Sequence, residues 1–188
     1  MLANQGAGMA IRLVRLDAAS TGYADEAWEY MQACKAVAGD ELAGLGCLED
    51  CTSLEQVRRH WLPQVVNEAH GKNLPPGYVP ALQFLALEPD GTLVGMIQLR
   101  LDLNDYLLEL GGNIGYSVRP DRRRRGYAKQ MLADCLGVAR QEGLDRVLVT
   151  CDEHNEGSRQ TILSNGGRLE DTRYTANGLG IQRYWIDL

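Results

Sequence analysis

The chain has 188 residues, of which 45% are hydrophobic and 23% are charged. This length fits one domain with a buried core, and the formal net charge of −6 argues against a general nucleic-acid binder. No apolar run approaches the roughly 18 residues that a membrane-spanning helix needs, so we expect no membrane segment.

The five cysteines have an irregular spacing that does not indicate a disulfide framework. No His or Cys pair follows Cys47 and Cys51 at zinc spacing, so we expect no metal site. The N-terminus lacks a secretory signal, which favours the reducing cytoplasm. Residues 1–9 are predicted to be a flexible leader to a single domain over residues 10–188.

Hydrophobic periodicity indicates a strand and two helices in the first part of the chain. Residues 11–16 are predicted to form a strand, and residues 23–37 carry apolar side chains at helical spacing. A second helix is expected to begin at Thr52 or Ser53, since both are good N-caps. Glycines and prolines then predict a loop over residues 70–80.

The middle of the chain is predicted to form a β-hairpin and a further strand. Residues 81–87 and 93–101 are apolar strands on either side of a Pro-Asp-Gly turn. A connector of polar and apolar residues over 103–112 leads to a strand over residues 114–118. Pro120 ends that strand.

The next segment has the features of an anion site. Residues 122–125 are four consecutive arginines, and apolar periodicity predicts a helix over residues 126–142. The first-turn N–H groups of a helix lack intrahelical partners, and the macrodipole adds partial positive charge there. Gly126 and Ala128 let a bulky anion come close, and Arg119 adds another cation. A diphosphate fits such a site; the alternative is a solvated surface loop.

The last part of the chain is predicted to contain a strand, a helix and two further strands. These elements cover residues 146–150, 155–165, 168–171 and 183–186. The whole order of strands and helices predicts an α+β fold in which a mixed sheet is covered by helices.

The anion-site segment carries a family resemblance. Arg123, Gly126 and Ala128 match the Arg/Gln-x-x-Gly-x-Gly/Ala motif of the GCN5-related N-acetyltransferase (GNAT) superfamily. The flanking strand and helix, and the order of elements from about residue 10, also resemble that family. The resemblance implies a GNAT-like α+β fold with a mixed, mostly antiparallel sheet of six to seven strands flanked by about four helices. It also implies that this segment holds the pyrophosphate and pantetheine of acetyl-CoA.

A second segment is similar to the family run that opens the helix after the fifth strand. Asn155 and Ser158 match the Asn that contacts pantetheine and the small residue that lets the cofactor pass. Asn155 is also a plain N-cap, which needs no ligand. The residues that the resemblance assigns to acetyl-CoA are Tyr116, Ser117, Val118, Arg119, Arg123, Arg124, Arg125, Gly126, Tyr127, Ala128, Asn155 and Ser158.

Two family positions for proton transfer hold other residues. Many members carry a Glu near the position of Asn113 and a Tyr at the position of Ile162. Neither Asn113 nor Ile162 exchanges a proton at neutral pH. Glu109 is the candidate base, acting through water; the alternative is a solvated loop carboxylate. The resemblance also implies that main-chain N–H groups around Tyr116 stabilise the oxyanion.

Other residues offer alternative chemistry. Cys151 follows the fifth predicted strand, and a nucleophilic cysteine needs a base such as His154 to form its thiolate. The tyrosines that remain as candidate acids are Tyr127, Tyr174 and Tyr184.

The resemblance implies an acetyl-CoA-dependent N-acetyltransferase that acts on a primary amine of a small molecule or peptide by direct attack in a ternary complex. The acceptor is expected among residues 39–53, 70–80 and 102–112. One alternative is a non-catalytic acyl-CoA-binding or regulatory module, and another is a nucleotide- or RNA-phosphate binder. We expect a cytoplasmic monomer or homodimer with no nucleic-acid or membrane partner.

Overall fold

The structure is a computed structural model that describes residues 10–37 and 42–188. The leader predicted over residues 1–9 lies outside the described residues. The strands are β1 (Arg12–Arg15), β2 (Ala81–Leu87), β3 (Leu93–Arg100), β4 (Ile114–Val118), β5 (Arg146–Asp152), β6 (Arg168–Tyr174) and β7 (Gly180–Asp187). The helices are α1 (Ala24–Lys35), α2 (Leu54–Gln56), α3 (Leu62–Ala69), α4 (Tyr127–Gln141) and α5 (Glu156–Ser164).

The seven strands form one sheet in the order β1-β2-β3-β4-β5-β7-β6. Only β4 and β5 pair in parallel, and every other neighbouring pair is antiparallel. The predicted α+β fold with a mixed, mostly antiparallel sheet is therefore confirmed.

The parallel pair is also the place where the sheet opens. The register between β4 and β5 is limited to Ile114 opposite Val149, so the two strands diverge toward their C-terminal ends. Each of these strands leads to a helix, β4 to α4 and β5 to α5. The N-termini of both helices are thereby brought to the edges of one opening, which is where ligands bind in open α/β sheets.

Apolar clusters cover both faces of the sheet. On one face, Met131, Leu132, Cys135 and Ala139 of α4 are all 0% exposed, and they recur at the predicted helical spacing. On the other face, α1 and α3 pack their buried side chains against β2 and β3. Helices therefore pack on both faces of the sheet.

Several boundaries differ from the prediction. A 3-10 turn, Ser20–Tyr23, precedes α1, because the Ser20 hydroxyl accepts a hydrogen bond of 2.8 Å from the Asp17 main-chain N–H. A π-helical turn, Val57–Trp61, separates α2 from α3, and a second, Leu107–Gly111, occupies the predicted connector. Strands β6 and β7 extend beyond their predicted ends, because polar residues on exposed positions of β6 give no hydrophobic alternation.

In the described part of the chain, no helix is long and apolar enough to cross a membrane. The same residues contain no group of three or more His, Cys, Asp or Glu side chains that could hold a metal ion.

Candidate functional site

An open cleft of about 1080 Å³ lies where β4 and β5 diverge, between the N-termini of α4 and α5. Most of its lining comes from β4, the arginine loop, the first turn of α4, the end of β5 and the start of α5. The lining residues are Ala43, residues 114–118, 122–124, 126–129, 150–152 and 154–158, Gln160 and Thr161. The two segments that carry the family motifs in the sequence therefore face each other across one cleft.

The arginine loop turns sharply into α4. The Arg123 Nε donates a hydrogen bond of 3.1 Å to the Val118 carbonyl, which folds the loop back on β4. Arg124 and Gly126 both have positive φ, at 64° and 86°. A glycine adopts this conformation without strain, and no atom lies within 4 Å of the place where a Cβ on Gly126 would sit. The N-terminus of α4 is therefore open to the cleft, as an anion requires.

Not all of the predicted arginines reach the cleft. Arg123 and Arg124 line it, and so does Arg122, which is absent from the predicted set. The Arg119 guanidinium instead lies 2.9 Å from an Asp121 carboxylate oxygen. Arg125 hydrogen-bonds the Tyr127 hydroxyl and lies outside the lining.

A buried carboxylate fixes this loop from behind. Glu88, just after β2, is 4% exposed and lies 3.2 Å from the Arg122 guanidinium. The Tyr127 hydroxyl donates a second hydrogen bond to the same carboxylate. Glu88 is missing from the sequence-based site because it is 34 residues before Arg122 and no local pattern marks it.

The opposite wall is the start of α5. The Asn155 side chain accepts a hydrogen bond of 3.0 Å from the Ser158 main-chain N–H, so it is the N-cap that one interpretation predicts. Asn155 also lines the cleft, so this structural role is compatible with contact to a ligand.

A hydrogen bond joins the two walls of the cleft. The Tyr116 hydroxyl lies 2.8 Å from the Ser158 hydroxyl and so connects β4 with α5. Burial raises the pKa of Tyr116 well above its ordinary value, and hydrogen bonds to Ser158 and Thr161 offset only part of this effect. Tyr116 therefore stays protonated at neutral pH.

Asn113 has a structural role at the point where the strands part. It is 3% exposed, its Oδ1 accepts a hydrogen bond of 2.8 Å from the Leu148 N–H, and its Nδ2 donates one of 3.0 Å to the Arg100 carbonyl. The side chain thus bridges β5 and β3 beside the first residue of β4. This amide makes both bonds at once, which an ionised carboxylate cannot do.

The other two positions considered for proton transfer also lie outside the lining of the cleft. Ile162 is 0% exposed in the core under α5, where a Cβ on Gly167 would overlap it. Glu109 lies 2.9 Å from the Arg173 guanidinium, and half of its side chain is exposed. Neither residue belongs to the lining of the cleft.

Cys151 and His154 do not form a nucleophile and base. Cys151 lines the cleft and is 7% exposed, and burial raises its pKa to about 11. The His154 side chain is 82% exposed and lies 3.7 Å from a Glu153 carboxylate oxygen. At neutral pH the Cys151 thiol is therefore protonated, and the His154 imidazole, although it also lines the cleft, lies beside Glu153.

The candidate acids have other partners or lie on the surface. Tyr184 is 2% exposed and its hydroxyl donates to Gln182 at 2.6 Å, whereas Tyr174 is 68% exposed. Tyr127 donates to Glu88.

Of the three segments predicted to hold the acceptor, residues 70–80 contact each of the other two. The Cys47 thiol lies 3.1 Å from the Tyr78 hydroxyl, and Asn104 donates a hydrogen bond of 2.7 Å to the Gly77 carbonyl. A Cβ on Gly44 would overlap the carbonyl oxygen of Gly115 in β4. The described parts of these segments are therefore linked to one another, and Gly44 brings one of them against β4. Residues 38–41 lie outside the described part.

Residues 48–164 match the Acetyltransferase (GNAT) family. The match spans both walls of the cleft. No curated protein matches the chain in sequence at a significant level.

Solved acetyltransferase structures share the fold over nearly the whole chain. RimL, a ribosomal L7/L12 alpha-N-protein acetyltransferase in complex with coenzyme A, is 18% identical over 96% of each chain with a TM-score of 0.70. The Salmonella typhimurium enzyme that modifies the N-terminal serine of L7/L12 is 17% identical over 95% of each chain with a TM-score of 0.67. The microcin C7 self-immunity acetyltransferase MccE, in complex with acetyl-CoA and AMP, is 15% identical over 94% of this chain and 92% of its own, with a TM-score of 0.67. The expected fold is confirmed.

Proposed function

Because the chain belongs to the acetyltransferase (GNAT) family, we propose that it transfers the acetyl group of acetyl-CoA to a primary amine of a small molecule or peptide. The observation that carries the proposal is the cleft between β4 and β5. The arginine loop and two helix N-termini meet there at a single opening. A cofactor with a diphosphate at one end and a thioester at the other matches this arrangement.

The arginine loop is the proposed diphosphate site. Arg122, Arg123 and Arg124 supply positive charge, and the first turn of α4 supplies main-chain N–H donors. Gly126 keeps the approach to that turn clear, since it carries no Cβ. Asn155 and Ser158 on the other wall are the proposed contacts of the pantetheine arm.

The proposed reaction is direct attack within a ternary complex. The neutral amine nitrogen forms a bond to the acyl carbon, the carbon–sulfur bond breaks, and CoA leaves as a thiolate. Main-chain N–H groups of β4 around Tyr116 stabilise the negative charge that develops on the carbonyl oxygen. Holding both reactants in line supplies a further part of the rate enhancement.

The proton that leaves the amine is proposed to pass to water. Asn113 and Ile162 have structural roles, and Cys151 keeps its own proton at neutral pH. Glu109 is paired with Arg173 and is proposed as a base only through intervening water.

Two of the solved structures indicate classes of acceptor to test. RimL acts on a protein α-amine, and MccE confers immunity to microcin C7, so free peptide N-termini and small amines are the first classes to try. The proposed acceptor surface is formed by the contacting loops around Cys47, Tyr78 and Asn104. Burial raises the pKa of both Glu49 and Glu68 near this surface.

The test is release of CoA from acetyl-CoA across a panel of amines, amino acids, aminoglycosides and peptides. Mass spectrometry identifies the acetylated product, and peptides with blocked N-termini serve as matched controls. We expect at least one free amine to give both CoA and product, while its blocked counterpart gives neither. CoA release without an acetylated product in every case contradicts the proposal.

The second candidate is a module that binds acyl-CoA without turnover. It is supported by the structural roles of Asn113 and Ile162, which replace two residues that many family members use for proton transfer. Tight binding of acetyl-CoA with no acetylated amine from any member of the panel would favour this candidate.

A further inference from the structure

A pair of buried hydroxyl groups links helix α1 to the cleft. The Tyr30 hydroxyl donates a hydrogen bond of 3.0 Å to the Ser117 Oγ, across 87 positions of the chain. Tyr30 is 1% exposed and lies in the core under α1. Ser117 is 9% exposed and is part of the cleft lining in β4. The pair therefore extends from the core to the surface that faces a ligand.

The Tyr30 hydroxyl keeps its proton near neutral pH. Burial raises the pKa of Tyr30 well above its ordinary value, and the neighbouring Cys34 thiol raises it further. Cys34 lies one turn along the same helix and is 0% exposed. Because the phenol cannot ionise near neutral pH, Tyr30 holds a hydrogen bond and does not release a proton.

The Ser117 hydroxyl is left with a proton to donate. A serine hydroxyl has one donor and two acceptor lone pairs, and the bond from Tyr30 uses one of the lone pairs. Within residues 10–37 and 42–188, the only hydrogen bond found for this Oγ is the one from Tyr30. The Ser117 O–H is therefore available to an acceptor in the cleft.

We propose that Ser117 donates this hydrogen bond to the acyl carbonyl oxygen of acetyl-CoA, and that Tyr30 is the positioning residue that orients it. The identity of the ligand rests on the proposed function. The carbonyl oxygen gains negative charge when the amine attacks, so a donor oriented in advance stabilises the transition state more than the ground state. No proton leaves either hydroxyl during this step.

The test compares acetyl-CoA with CoA, because the two ligands differ only in the acyl group. Tyr30→Phe keeps the ring and removes the donor, so it is expected to weaken acetyl-CoA binding about fivefold and to leave CoA binding unchanged in isothermal titration. Ser117→Ala should give a loss of the same kind. Because Tyr30 acts through Ser117, Tyr30→Phe should add no further loss in the Ser117→Ala background.

Tyr23→Phe is the matched control. Tyr23 immediately precedes α1 and packs against the same core cluster, but it is not part of the cleft lining. The affinities of the Tyr23→Phe variant for acetyl-CoA and for CoA should equal those of the wild type. Thermal unfolding of each variant shows whether the fold is retained, and Ser117→Ala provides the comparison if Tyr30→Phe does not fold.

Turnover provides a second readout. Where an acceptor is known, Tyr30→Phe is expected to lower kcat about tenfold and to leave the KM of the acceptor unchanged. An equal loss of affinity for both ligands, no loss, or a loss that persists in the Ser117→Ala background overturns the proposal. If the wild-type protein binds acetyl-CoA but acetylates no amine, the proposed function is wrong. The affinities of the Tyr30→Phe variant for acetyl-CoA and for CoA still test the role of Tyr30 in that case.

Discussion

At the scale of single residues, Cys151 shows that a position in the cleft does not determine a chemical role. The thiol lines the cleft, but burial raises its pKa to about 11. A cysteine attacks as the thiolate, and a pKa above the working pH keeps the neutral thiol dominant. The candidate base, His154, lies beside Glu153 on the surface. Direct attack by the amine is therefore favoured over an acyl-enzyme.

We expect Cys151→Ala to keep kcat within about threefold of the wild type, because no covalent step uses the thiol. The matching chemical measurement is the rate of alkylation by iodoacetamide as a function of pH. This rate should be low at pH 7 to 8 and should rise as the pH approaches the pKa of about 11. Loss of activity in Cys151→Ala with unchanged acetyl-CoA binding would contradict direct attack and support an acyl-enzyme mechanism.

At the scale of elements, the β2–β3 hairpin anchors the arginine loop through Glu88. The carboxylate is 4% exposed and bonds both to Arg122 in the loop and to Tyr127 in the first turn of α4. Removal of a buried partner leaves the other groups unsatisfied, which costs more than the hydrogen bond itself contributes. The hairpin thus determines where the proposed diphosphate site lies.

Glu88→Ala is expected to lower the free energy of unfolding by about 3 kcal/mol, since Arg122 loses its buried ion-pair partner and the Tyr127 O–H loses its acceptor. Glu88→Gln should cost less, about 1 to 2 kcal/mol, because the amide oxygen still accepts from Tyr127. Urea denaturation measures both values. Glu142→Gln is the control, since Glu142 pairs with the exposed Arg15 at 3.7 Å and its loss should not change stability measurably. Equal stability of Glu88→Ala and the wild type would contradict the anchoring role.

A second prediction about stability concerns Asn113, which lies where β4 and β5 part. Asn113→Ala leaves the Leu148 N–H and the Arg100 carbonyl without a partner, so we expect a loss of about 2 to 4 kcal/mol in the free energy of unfolding. Asn67→Ala on α3 is the control, because the Asn67 side chain makes no hydrogen bond to the described residues. A similar stability for the two variants would show that the Asn113 bridge contributes nothing.

These elements also show how far the sequence predicts the site. The arginine loop and the Asn155 cap were predictable, because their residues are neighbours in the chain and the following helices have clear periodicity. Glu88 and Tyr30 were missed, since they reach the site over 34 and 87 positions and no local spacing marks such contacts. The bridging role of Asn113 likewise depends on the partner strands that lie on either side of it.

At the scale of the whole molecule, the sheet brings the loop charges and both helix N-termini to one place. The net charge of the chain is −6, yet Arg122, Arg123 and Arg124 line the cleft together. Attraction for an anion is therefore focused at this site. The fold supplies the opening because β4 and β5 share only one register position before they diverge.

The affinity of acetyl-CoA for the wild type, for Gly126→Asp and for Gly137→Asp tests the central claim most directly. Aspartate tolerates the positive φ of Gly126 better than most residues do. At both positions the space that a Cβ would occupy is open. Gly137 lies farther along the same helix, outside the lining of the cleft. We expect Gly126→Asp to weaken binding about a hundredfold or more, since its carboxylate would face the diphosphate, while Gly137→Asp binds as the wild type does and both variants stay folded. Wild-type affinity in a folded Gly126→Asp variant would contradict the assignment of the cleft.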